Sequence, residues 1–112
     1  MKKLILTPFF ILGFTLTQAQ QIARIDRGTF EISQALHKVE VQEITMQPGQ
    51  AAPKHLHGCP VVGVVKSGEV LFQLEGEEPQ ILKEGESFYE PKNATVLHFD
   101  NASKTKPLLL FT

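Results

Sequence analysis

The chain of 112 residues has a single cysteine, Cys59. No internal disulfide can staple the fold, and in an oxidising compartment a lone thiol must be buried, metal-bound or paired with another molecule. Positive charge is not in excess either: 11 basic residues stand against 12 acidic ones. That balance leaves no electrostatic footprint for nucleic acid or anionic lipid. There is no Ser/His/Asp set, no glycine-rich phosphate loop, no nucleotide fingerprint, no internal repeat and no amphipathic helical window. The longest apolar run, residues 4–17, is about 14 residues long and contains Pro8 and Gly13, short of the roughly 20 that span a bilayer.

What is present begins with that run. Lys2 and Lys3 precede it, and Thr17 and Ala19 supply small residues at the spacing a signal peptidase uses. The layout predicts a secretory signal peptide over residues 1–19, cleaved after Ala19, and export to the periplasm or the medium. Cleavage takes two lysines away and shifts the net charge from −1 to −3. Residues 20–112 then form one domain, with no stable membrane association, large enough to bury about 60–65% of its unfolded surface.

Downstream, short apolar-rich segments alternate with turn signals. "VEVQEITM" (39–46) alternates and changes phase between Glu43 and Ile44, which predicts a bulge. "VVGVVK" (61–66) is a β-branched run ended by Ser-Gly. "EVLFQLEG" (69–76) puts Val70, Phe72 and Leu74 on one face. "QILK", "SFYE", "TVLHFD" and "LLLFT" follow. Turns every 8–12 residues predict an all-β sandwich or barrel. Residues 22–38 read equally as one helical turn or as an edge strand.

In "PKHLHGCP" (53–60), His55, His57 and Cys59 are two apart, so an extended chain turns all three to one side. Neutral imidazole suits Zn, Cu, Fe and Ni. Gly58 and Pro60 flank Cys59 and can turn the chain there. As a thiolate Cys59 is a soft ligand favouring Zn or Cu; otherwise it is a small buried hydrophobe. His37 is read as solvated.

These residues, with "EGESFYEP" and "LHFDNAS", resemble a small single-domain cupin over residues 39–112. Gly49, His55, His57 and Gly68 match the first cupin motif, but Val61 occupies its Glu position. In the second motif Gly85 and Pro91 fit. Asn93 replaces a Gly, Val96 stands at the His position, and Asn101 is a counterpart of the closing Asn. The resemblance implies an RmlC-like jelly roll, a double-stranded β-helix, usually homodimeric. It also implies a divalent metal (Zn, Fe, Mn, Ni or Cu) on a three-His, one-Glu set. The activities it implies run from dioxygenase-like oxidoreductase to isomerase to a non-catalytic, metal-free binder of small molecules.

On that footing His55, His57 and His98, with Cys59 as a fourth candidate, form the expected metal set. His98 lies two residues beyond the motif position, about 6.6 Å along a strand with its facing preserved. Either the metal sits deeper, or extra turn residues slide His98 into place, or His98 is structural. Val61, Gln73, Tyr89 and Val96 are the expected pocket wall, with Glu90 lining it or facing water. Asn93 at a turn predicts a left-handed residue. "NAT" and "NAS" match glycosylation sequons.

Overall fold

The computed structural model describes residues 2–4 and 21–112. The apolar run beyond Leu4 and the expected cleavage site lie outside them. Eight strands follow in order: β1 Glu43–Met46, β2 His55–Leu56, β3 Val61–Ser67, β4 Glu69–Leu74, β5 Gln80–Lys83, β6 Ser87–Glu90, β7 Thr95–Asn101 and β8 Leu108–Phe111. They form two four-stranded sheets, β1-β8-β3-β6 and β2-β7-β4-β5. All pairings are antiparallel, so the all-β jelly-roll expectation holds.

The core lies between the inward faces of the two sheets. Val70, Phe72 and Leu74 are buried as the alternation of β4 requires. Phe72, Phe88 and Phe99 pack with ring centroids 5.2–6.1 Å apart in tilted or edge-on contacts, the arrangement aromatic quadrupoles favour. Leu108, Leu110, Val65, Val70 and Val96 are fully buried around them.

Two glycine-type positions set the chain reversals. Gly68, between β3 and β4, has φ +91°, and a Cβ there would sit 2.7 Å from the Pro107 carbonyl oxygen. Asn93 adopts φ 62°, the left-handed conformation expected of it, and its N–H donates to the His57 carbonyl at 2.8 Å.

Some local expectations are corrected. β1 pairs with β8 without a register break from Glu43 to Met46. The phase change in "VEVQEITM" marks the start of the strand: Val39 and Val41 lie outside it and are exposed. Bulges fall instead in β3, between Val65 and Ser67, and where β4 meets β7. Residues 22–38 form neither helix nor strand. Arg27 and Phe30 from this segment run beside β6, where the Arg27 carbonyl accepts a hydrogen bond from the Ser87 hydroxyl and Phe30 packs on Tyr89.

Candidate metal centre

The candidate centre sits where one end of each sheet meets the other. From the second sheet comes β2, whose His55 pairs with Val96 and whose Leu56 pairs with Thr95. Leu56 points outward and is exposed, while His55 and the following His57 are half-buried. The two imidazoles therefore share a side, as an extended His-x-His requires. Their centroids are 4.9 Å apart and the rings nearly perpendicular. The Asn93 bond to the His57 carbonyl ties the chain just after β2 to the turn between β6 and β7.

From the first sheet comes Glu90, the last residue of β6. It shares the inward face with Phe88 and is only 2% exposed. Its Oε2 lies 3.0 Å from His57 Nε2, yet meets no hydrogen-bond partner of acceptable geometry among the described residues. One ligand atom from each of His55, His57 and Glu90 lies within 4.8 Å of the others. Donors about 2.0–2.2 Å from a shared ion stand roughly 3–4.4 Å apart, so only a small contraction is needed.

The wider surroundings favour ligation. The Pro53 carbonyl lies 2.7 Å from His55 Nδ1 and can only accept, so Nδ1 carries the proton and Nε2 keeps its lone pair for a metal. A backbone carbonyl orienting a ligating imidazole in this way is the usual outer-shell arrangement. Burial pushes the Glu90 carboxyl above its ordinary range, with the charges of His57 and then His55 acting against that shift. A buried carboxylate oxygen without a hydrogen bond, facing two imidazoles, is the electrostatic situation a cation resolves. The donor set therefore fits a divalent metal ion.

The remaining expected residues separate from this cluster. β4 and β7 pair Gln73 with His98 but Leu74 with Val96, so β7 carries one extra residue. One extra residue reverses the facing beyond it. Val96 is therefore buried in the core, whereas His98 turns to the outer face, exposed, with Nδ1 2.9 Å from Asp100 Oδ2. The expectation that His98 supplies the third imidazole fails for this reason.

Gln73 shares that outer face and donates to the Glu77 carbonyl at 3.0 Å, so it is not a pocket residue. Tyr89 points away from the cluster against Phe30, with centroids 5.5 Å apart. Cys59 is exposed, in a bend after His57. The chain turns at Gly58, so Cys59 is neither the buried hydrophobe nor a member of the cluster. Asn101 is buried and bonded, which closes the "NAS" sequon in the folded protein.

Glu90 is the ligand candidate that the motif positions missed. Its signal lies in "SFYE", whose alternation puts Glu90 on the side of the core residue Phe88. A cavity of about 1160 Å³ opens beside the cluster, and His55, His57, Cys59, Val61 and Glu90 all line it.

Residues 42–112 match the Cupin domain family. A 59-residue stretch is 34% identical to an uncharacterised protein of Methanocaldococcus jannaschii, and the chain spans about half the length of that curated relative, with 53% of this chain covered. A crystal structure from M. jannaschii, described as an RmlC-like cupin family protein with a double-stranded β-helix fold, superposes with TM-score 0.55 at 31% identity over 63% of each chain. A cupin-like protein from Thermotoga maritima gives TM-score 0.55 at 27% identity, over 63% of this chain and 52% of that one. A DMSP lyase from Ruegeria pomeroyi gives TM-score 0.56 at 22% identity, over 63% of this chain and 34% of that one. At that identity the lyase shares the fold alone.

Proposed function

Because the chain belongs to the cupin family, we propose that it is an exported cupin that holds one divalent transition metal on His55, His57 and Glu90 and presents the ion's open positions to a small molecule. The observation that carries this reading is the orphaned oxygen of Glu90, buried and faced by two imidazoles. Two histidines and one carboxylate leave coordination sites open, as catalytic rather than structural metal sites do. Bound there, a metal supplies Lewis acidity toward an oxygen of the small molecule.

The residues of the chain do the rest. The Pro53 carbonyl orients His55, the Asn93 turn secures the backbone at His57, and the core beside Phe88 keeps the Glu90 carboxylate out of water. Iron, manganese, zinc, nickel and copper all accept such nitrogen and oxygen donors. Lys2, Lys3 and the small residues Thr17 and Ala19 support export, and family resemblance supports a homodimer.

The competing reading is a metal-free binding module, favoured by Val61 and Val96 at two family ligand positions. Elemental analysis of freshly purified protein, followed by titration of the chelated form with Zn(II) and Mn(II), tests the proposal. One metal per chain is expected. No uptake of any divalent ion contradicts it and leaves the metal-free module.

A further inference from the structure

We propose that the open positions of this centre take a small monoanionic oxygen-donor acid whose remainder is apolar, and that Val61 sets that preference. The inference rests on the metal reading above and adds the class of ligand. A divalent ion with one carboxylate and two neutral imidazoles carries a net charge of +1. A second carboxylate at the family's Glu position would bring the centre to zero. That position is Val61, which lines the same cavity and stands opposite Glu90 in the β3–β6 ladder.

The surroundings offer little else to balance that charge. The other acid on the cavity wall, Glu40, is exposed and paired with Lys38 at 2.8 Å. Arg27 lies beside Gly85 and Ser87, at the far end of β6, and roughly 10 Å of strand separates Ser87 from Glu90. An excess charge of +1 in a partly desolvated site is met best by one negative ligand; a neutral donor leaves it uncompensated and a dianion overshoots it.

The body of the ligand follows from the wall. Besides Thr45, Gln50 and Ser87, the last two already hydrogen-bonded to the Gln47 N–H and the Arg27 carbonyl, the cavity wall has an apolar part made by Ile44, Met46, Ala52, Val61, Phe88 and Phe99. Polar substituents on the ligand would lose water there without finding a partner, whereas methylene or ring carbons gain from burial.

The test loads the chelated full chain with Co(II), whose visible spectrum reports both metal binding and changes of ligand. The Co(II) protein is then titrated with hexanoate, acetate, hexanamide and adipate. Hexanoate is expected to bind about tenfold or more tightly than each of the other three, a factor of ten being a modest difference in contact energy. Val61→Glu is expected to keep the Co(II) spectrum of a filled site and to weaken hexanoate about tenfold, and the neutral Val61→Gln, of the same size as the glutamate, is expected to weaken it clearly less than Val61→Glu does. Should Val61→Glu not fold, the four-ligand series on the native chain decides alone. Absence of Co(II) binding overturns the metal reading and this proposal with it. Co(II) binding with hexanamide or adipate equal to hexanoate overturns this proposal only.

Discussion

Val61 and Glu90 stand directly opposite each other in the β3–β6 ladder, both on the cavity side, so a carboxylate stands directly across the ladder from the position where the family motif has its Glu. Opposed residues on one face of an antiparallel pair have Cβ atoms about 4.5–5.5 Å apart. Glutamate side chains from either position can therefore reach one ion between them. Glu90→Val is expected to lower divalent-metal affinity by about tenfold or more. The exchanged pair Val61→Glu with Glu90→Val should recover most of it. Titration calorimetry on the native chain and both variants measures this, and an exchanged pair no better than Glu90→Val alone would refute a shared carboxylate position.

The core is built without the candidate ligands. Among the described residues eleven apolar side chains form the core and none belongs to the candidate ligand set, unlike a zinc finger, whose folding is its metal binding. Chelation is expected to leave the β-type circular dichroism at room temperature unchanged. The melting temperature should fall only by the ligand-linked amount, of order RT ln(1 + [L]/Kd) in free energy. Loss of the β signal on chelation would overturn this.

Acid should relieve the metal-free protein at Glu90. Burial holds the Glu90 carboxyl above its ordinary value of 4.5, so the folded state keeps that proton to higher pH than the unfolded chain does. Its contribution is therefore destabilising above the folded pKa and fades as pH falls toward 4.5. Glu90→Gln is expected to raise the melting temperature of the metal-free chain at neutral pH, with the gain shrinking on acidification toward that value. A gain independent of pH would contradict the burial argument.

Asn101 ties β7 to two other parts of the chain. Its Nδ2 lies 3.2 Å from the Met46 carbonyl, 3.1 Å from that of Gln47 and 2.8 Å from that of Lys106, while Oδ1 accepts from the Ser103 N–H at 2.9 Å. Asn101→Ala leaves these groups without their partner and is expected to cost about 2–3 kcal/mol. Urea unfolding should show a lower midpoint with an unchanged slope. A loss below about 0.5 kcal/mol would mean water replaces the side chain.

The fold was legible because its signals are local and redundant. The alternation in "EVLFQL" and "SFYE", the reversal at Gly68 and the left-handed Asn93 each follow from short-range sterics or side-chain period. Two of the three site residues were legible too, since His55 and His57 belong to one extended stretch. The third member was hidden because it depends on pairing between strands: nothing local says that Glu90 will stand across from Val61. His98 misled for a related reason. Its two-residue offset predicts a preserved facing, and the one-residue bulge in β7 reverses it. Cys59 failed because the chain bends at Gly58, where strand alternation no longer applies.

The central claim is that the third ligand is Glu90 and not His98. Its most direct test is titration calorimetry with one divalent ion on the chelated native chain, Glu90→Gln and His98→Ala, at a pH where the native chain binds one ion. The account predicts that Glu90→Gln loses about tenfold or more in affinity, since it keeps the shape but removes the charge that faces the cation. His98→Ala, altered only on the outer face beside Asp100, should match the native chain within about twofold. Native-like binding by Glu90→Gln, or a loss in His98→Ala as large as that of Glu90→Gln, would contradict it.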